Sequence, residues 1–112
     1  MKDSRLYLIH IQECLARIRE YTQGGKDEFM SRGIVQDAVL RNLEIMGASV
    51  KKLPEGWKQL QPQVEWVKVG DFRNVLAHDY LDVDLDIVWD IIEHYLPGLE
   101  TAVRELLEAK GE

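Results

Sequence analysis

The chain has one cysteine, three prolines and no apolar run long enough to cross a bilayer. Each shortage closes off a class of protein. A single thiol, Cys14, can form no internal disulfide and cannot build a cysteine-rich zinc site, so a reducing cytoplasm is the expected compartment. Spanning a membrane takes about 20 apolar residues in one helix, and none of that length is present. The opening Met1-Lys2-Asp3-Ser4 runs straight into an amphipathic stretch with no secretory signal. Positive charge is also short, with 14 Lys and Arg against 20 Asp and Glu for a formal charge of -6. Broad nucleic-acid binding rests on neutralising many phosphates, so such a role must be local, in a small basic cleft that a second subunit could complete. His10, His78 and His94 lie far apart, and Asp82, Asp84 and Asp86 read as capping and helix-surface residues. No metal centre and no cofactor is predicted.

What is present suits one folded domain over residues 1–112: 46% hydrophobic and 30% charged residues, long enough for a single core. No alternating strand pattern, repeat or low-complexity tract is found. From Ser4 to Tyr21, Leu8, Ile11, Leu15 and Ile18 recur at three- and four-residue steps, flanked by Tyr7, Cys14 and Tyr21. Gly24-Gly25 is the expected stop, followed by a short turn from Asp27 to Met30. A second long helix starts at Ser31 or Gly33, with Ile34, Val35, Ala38, Val39, Leu43, Met46 and Val50 as its buried face, and ends before Pro54. The stretch from Glu55 to Gln63 reads as a loop with a helical turn carrying Trp57.

Helix resumes from Val64 to about His78 on Val64, Val67, Phe72, Val75 and Leu76, and Gly70 within it marks a bend or close packing. The last region opens at an N-cap, Asp82 or Asp84, and buries Ile87, Val88, Ile91, Ile92 and Tyr95. It breaks or kinks at Pro97, and Leu99, Val103, Leu106 and Leu107 carry the stripe onward. The prediction is an all-α, up-and-down bundle of four or five helices.

One octet carries chemistry: Arg73-Asn74-Val75-Leu76-Ala77-His78-Asp79-Tyr80. A guanidinium fork grips phosphate, and an imidazole moves protons near neutral pH. His78 could take the proton from a ribose 2′-hydroxyl or give one to the leaving oxygen, while Arg73 stabilises charge on the phosphoryl oxygens. The ribose supplies its own nucleophile, so this cleavage needs no metal. Five residues of helix separate Arg73 and His78 by roughly 140°, so either the helix ends near His78 or the site is completed across a two-fold axis. The bland alternative is that Arg73 pairs with a carboxylate and His78 caps a helix C-terminus. The spacing alone does not separate the two.

Arg41, Asn42 and Glu44 lie on a helix whose other face is core, where Arg41 is a candidate second phosphate contact and Asn42 and Glu44 are candidate supports through hydrogen bonds to Arg73 or to substrate. The alternative is a solvated helix face. Lys51-Lys52 read as surface residues complementing a helix C-terminus, His10 and His94 as ordinary helix residues, and Cys14 as a buried small hydrophobe. Trp66 and Trp89 could stack bases, but in an apolar pattern they read as core or interface anchors. Val75 and Leu76, if exposed, would be dimer interface. The acidic run from Asp79 to Asp90 is poor RNA-facing surface and reads as caps or as a contact for a basic partner.

The octet matches the Arg-x-x-x-x-His-x-Tyr signature of HepT-like proteins in the HEPN superfamily, and the resemblance extends along nearly the whole chain. Gln36-Asp37-Ala38-Val39 with Arg41-Asn42-Leu43-Glu44-Ile45 resembles the family's second-helix signature. Val83-Asp84-Leu85 with Val88-Trp89 resembles the segment after the motif, and Leu96-Pro97 its proline break. The resemblance implies a HEPN bundle that dimerises to bring two motifs into one cleft. It implies a metal-independent ribonuclease with Arg73 and His78 catalytic and Asn74 supporting them. It further implies the toxin half of a toxin–antitoxin module, whose partner, the minimal nucleotidyltransferase MntA, transfers AMP from ATP onto Tyr80 and silences the toxin. After Ile45-Met46-Gly47, where many relatives carry a glutamate and an alanine, this chain has Ala48-Ser49. The competing function is a non-catalytic helical subunit that positions substrate or nucleotide for a nucleotidyltransferase.

Overall fold

The apolar stripe of the first helix, α1 (Arg5–Tyr21), turns Leu8, Ile11, Cys14, Leu15 and Ile18 completely or nearly completely out of solvent, as their spacing predicts. The computed structural model describes residues 3–79 and 83–110, the side chains of residues 73–79 excepted. Among the described residues there are seven helices: α1, α2 (Gly25–Ser31), α3 (Gly33–Lys51), α4 (Glu55–Gln59), α5 (Trp66–Asp79), α6 (Leu85–His94) and α7 (Leu96–Lys110). The all-α expectation holds. The number exceeds four or five because two short connections are themselves helical and the last region divides in two.

The boundaries follow local chemistry. α1 ends at Tyr21 rather than at the glycine pair, with the Thr22 hydroxyl donating to the Ile18 carbonyl at 2.8 Å. Gly25 has φ +85°, a conformation that favours glycine, and it starts α2, a seven-residue helix where the sequence predicts a turn. Arg32, in extended backbone, separates α2 from α3. The Asp84 carboxylate caps α6, accepting from the backbone N–H of Asp86 at 2.9 Å and of Ile87 at 3.4 Å. Pro97 is the second residue of α7, in the first turn, where a missing N–H leaves no intrahelical bond unmade. The helical run therefore breaks at Tyr95 and restarts.

Contacts at the helix ends fix an up-and-down order. The Lys52 ammonium, just past the end of α3, lies 5.7 Å over the ring of Tyr7 near the start of α1. Arg19, late in α1, pairs with Glu100, early in α7. Gln61, after α4, donates to Glu105 at 3.3 Å, and Lys110 lies over Trp57. α1, α3, α5 and α7 thus alternate in direction around a core of Phe29, Val39, Leu43, Met46, Val50, Leu99, Val103 and Leu106 together with the α1 stripe. Phe29 of α2 packs on Trp89 of α6 with ring centroids 5.4 Å apart. Trp66 is buried, and its indole N–H donates to the Lys58 and Gln61 carbonyls. Both tryptophans are core anchors.

Three residues expected in the core lie outside it. Ile34 is 71% exposed, Val67 79% and Ile87 59%. In each case the helix is rotated by about one position relative to the apolar run: α3 buries Val39 onward, α5 turns in Trp66 and Val69, and α6 turns in Val88, Trp89 and Ile91. None of the described helices is long and apolar enough to cross a membrane.

Candidate functional site

α5 positions the octet. Its backbone is helical from Trp66 through Asp79, so Arg73, Asn74 and His78 lie on one continuous helix, with Arg73 and His78 about 7.5 Å apart along its axis. Tyr80 lies outside the described residues, as does the position of every side chain from Arg73 to Asp79, Val75 and Leu76 included. His78 is the last residue but one of the helix, where the backbone dipole favours a cation.

The register of α5 against α3 is set by Gly70. A Cβ built there would stand 3.0 Å from Cγ of Lys51, so a larger residue requires the Lys51 side chain to shift. One residue on, the Lys51 ammonium pairs with the Asp71 carboxylate at 3.8 Å. Since the end of α3 meets the start of α5 and the two pack along each other, they run antiparallel. Equal rise per residue then makes positions equally far from this contact level with one another. Gly47 is level with Asn74, Ala48 with Arg73, and Glu44 with Ala77 and His78.

The supporting candidates on α3 separate by flank. Glu44 is seven residues from Lys51, two turns away on the same side, the side toward α5. Its half-buried carboxylate pairs with the exposed Arg41 guanidinium at 3.8 Å. Asn42 is nine residues from Lys51, two and a half turns, and so on the opposite side. It is buried, its amide donates to the Ala38 carbonyl of its own helix at 2.9 Å, and its side-chain oxygen has no partner. Ala48 is partly exposed and Ser49 is buried. Glu44, with Arg41 paired to it, and Asn42 therefore lie on opposite flanks of α3.

Other polar candidates have ordinary surroundings. Burial pushes the Cys14 thiol up from its usual pKa, outweighing the nearby Arg17, so it is held as the unreactive thiol. His10 is exposed, and His94 is exposed with its imidazole 3.4 Å from Asp90. Lys68 donates to the Tyr95 hydroxyl at 2.9 Å, and that hydrogen bond, followed by Coulombic attraction, holds its pKa up. Sequence alone does not pair Lys68 with Tyr95, which stands 27 residues away. Among the described residues no group of three or more His, Cys, Asp and Glu could hold a metal ion.

Comparison with known proteins places this architecture. The family model described as "Ribonuclease HepT-like" matches residues 11–106. The chain belongs to the HepT-like ribonuclease family. The "Putative RNase TTE0752" of Caldanaerobacter subterraneus subsp. tengcongensis is 35% identical over 96% of this chain and 97% of its own length. The "Probable ribonuclease HepT" of Thermococcus cleftensis is 32% identical over 89% of this chain and 92% of its own. A third relative, the "Gamma-glutamylcyclotransferase and putative RNase MJ0434" of Methanocaldococcus jannaschii, is 32% identical over 96% of this chain, which spans about half of that longer protein, 49%. No solved structure matches. The all-α HEPN bundle expected from the octet and its flanks is the fold observed.

Proposed function

We propose that this HepT-like chain is a metal-independent endoribonuclease, the toxin of a two-gene toxin–antitoxin module. The observation that carries the reading is the placement of Arg73 and His78 on one helix of a ribonuclease-family bundle. In this reading His78 takes the 2′-hydroxyl proton or delivers one to the leaving 5′-oxygen, and Arg73, with Asn74 beside it in sequence, neutralises the phosphoryl oxygens. The substrate is RNA, with tRNA or mRNA as the target, because only the ribose 2′-hydroxyl provides the internal nucleophile.

A second copy completes the cleft. With a net charge of -6, one chain offers little phosphate attraction, whereas two motifs across a two-fold axis supply two arginines and two histidines. The outward face of α3 supports that arrangement, with Ile34, Arg41 and Ile45 at seven- and four-residue steps on one exposed side. An MntA-like nucleotidyltransferase silences the enzyme by transferring AMP to Tyr80, which puts bulk and negative charge where an RNA phosphate docks.

The test is cleavage of total RNA by purified protein in the presence of EDTA, wild type against His78→Ala. Losing a general acid–base group is expected to slow cleavage by about 10²–10⁴-fold. Equal cleavage by both proteins, or by neither at high concentration, sinks the enzymatic reading. The acidic surface favours a second reading, an accessory subunit that presents substrate to a nucleotidyltransferase. Under that reading expression of the chain alone leaves growth unaffected and Tyr80→Phe is silent, whereas under the toxin reading Tyr80→Phe escapes silencing and arrests growth.

A further inference from the structure

Between the start of α5 and the junction of α6 with α7 lies a cleft of about 190 Å³. Val64, Val69 and Leu99 give it apolar walls, and at Gly98 no side chain intrudes. A Cβ built on Gly98 meets nothing within 4 Å, so this side of the cleft stands open. Its polar groups include the exposed Glu65 carboxylate and the Tyr95 hydroxyl. The walls are held by bonds of the chain itself. The Trp66 indole ties down the loop before α5, donating to the Lys58 carbonyl at 3.1 Å and the Gln61 carbonyl at 3.0 Å. The Glu65 carbonyl accepts from the Val69 N–H at 3.0 Å. Tyr95 is fixed by Lys68, which donates to its hydroxyl at 2.9 Å, and by Phe72, which meets the ring edge-on at 6.4 Å. The Lys68 ammonium is exposed and lies 4.9 Å from the Tyr95 ring centroid. A cleft built in advance loses little entropy on binding.

We infer that this cleft takes one unstacked guanine of an RNA strand, with Glu65 as the residue that selects the base. The choice of RNA rests on the ribonuclease reading; the choice of base rests on the cleft. Sites for drug-sized ligands measure about 300–1,000 Å³, so this smaller space suits a single ring system rather than a whole cofactor. Single-stranded RNA is recognised by bases splayed from the stack and hydrogen-bonded along their edges. A carboxylate offers acceptors only. Guanine sets two neighbouring donors, N1–H and the N2 amino group, on its Watson–Crick edge, and every other base sets an acceptor beside its donor there. The charges match as well, since the Lys68 ammonium beside Tyr95 is available to the phosphate that carries the base. Val69 lies four residues before Arg73, about 6 Å along α5, a distance that one nucleotide of extended strand spans. A chain with a net charge of -6 gains little from phosphate contacts alone, and a base held in a cleft adds affinity that does not depend on positive charge.

The test uses 2′-O-methyl RNA hexamers, which lack the internal nucleophile and so stay whole beside the wild-type chain. Two fluorescein-labelled, uridine-rich hexamers differ at one position, guanine or inosine, and inosine lacks only the N2 amino group. Fluorescence anisotropy is expected to show about tenfold tighter binding of the guanine hexamer, the effect of one hydrogen bond to a charged group. Glu65→Ala is expected to abolish that preference. Gly98→Leu, which fills the cleft from its open side, is expected to abolish it too and to weaken both hexamers. Glu65 is exposed and Gly98 has free space around it, so both variants are expected to keep the wild-type melting temperature. Equal binding of the two hexamers by the wild-type chain, or a preference that survives either substitution, overturns the inference. No binding of either hexamer also overturns it, and amide shifts at Val69 and Leu99 on adding guanosine monophosphate would then assign the cleft to a free nucleotide. Nothing in this test requires cleavage. A chain that shows the guanine preference but fails the His78→Ala comparison breaks the ribonuclease reading and leaves the base site standing.

Discussion

α1 and α5 are helices of similar length built on different terms. α1 packs against both α3 and α7, and a helix held by two neighbours must present a broad apolar stripe, which Leu8, Ile11, Cys14, Leu15 and Ile18 provide. α5 leans chiefly on α3. Over its described part it buries only Trp66, Val69 and Gly70 and leaves Val67 in solvent. Over residues 66–72 its attachment combines the burial of Trp66 and Val69, the packing of Phe72 against the core, the close approach at Gly70 and the Lys51–Asp71 ion pair. Residues 73–79 of the octet make up the second half of this helix. The broad apolar stripe and the octet of catalytic candidates thus lie on different helices of one small bundle.

That division can be attacked from the core side first. Leu43 is fully buried at the centre of α3, and Leu43→Ala is expected to cost about 3 kcal/mol through lost burial and a residual cavity, read as a fall in urea midpoint with unchanged slope. A cost under about 1 kcal/mol would mean that the α1–α3 layer is not the stability centre. Gly70→Leu comes next. Its side chain must displace Lys51, whose Cγ would lie only 3.0 Å from the new Cβ, so a loss of about 2 kcal/mol is expected. Full stability in that variant would show that α5 does not depend on close approach.

Asn42 sharpens the contrast from within α3. Its buried side-chain oxygen has no partner, and its amide donates only to a carbonyl of its own helix. Exchanging it for the similarly sized leucine removes a desolvated polar group and orphans nothing. Asn42→Leu is therefore expected to stabilise by about 1 kcal/mol and to leave RNA cleavage at wild-type rate. Lost cleavage at full stability would place Asn42 with the chemistry after all.

Sequence reading recovers what is written locally. The α1 stripe, the Asp84 cap and the break before Pro97 depend on residues within one or two turns of each other, and the octet is a candidate on residue identity alone. α2 reads as a turn in the sequence because seven residues are too few to display a period. Ile34, Val67 and Ile87 escape the core because periodicity gives a helix an apolar side, whereas the neighbour selects which edge of that side is covered. The level of Glu44 with His78 is not legible in sequence at all. It depends on the α3–α5 register, and that register is set by Gly70 meeting Lys51 across 19 positions of chain.

The smallest expected effect tests what the exposed side of α5 is for. Val67 is 79% exposed, so in an isolated chain Val67→Lys removes almost no buried surface, and stability should stay within about 0.5 kcal/mol of wild type. The same substitution also raises the net charge from -6 toward neutrality. If α5 were a packing helix like α1, a charge placed on its apolar run would cost several times as much, and an unchanged melting temperature would exclude that. A shift in elution from dimer toward monomer at unchanged melting temperature would instead assign Val67 to the contact between copies. The apolar residue that breaks the α5 pattern would then be one that the pattern of a single chain could never explain.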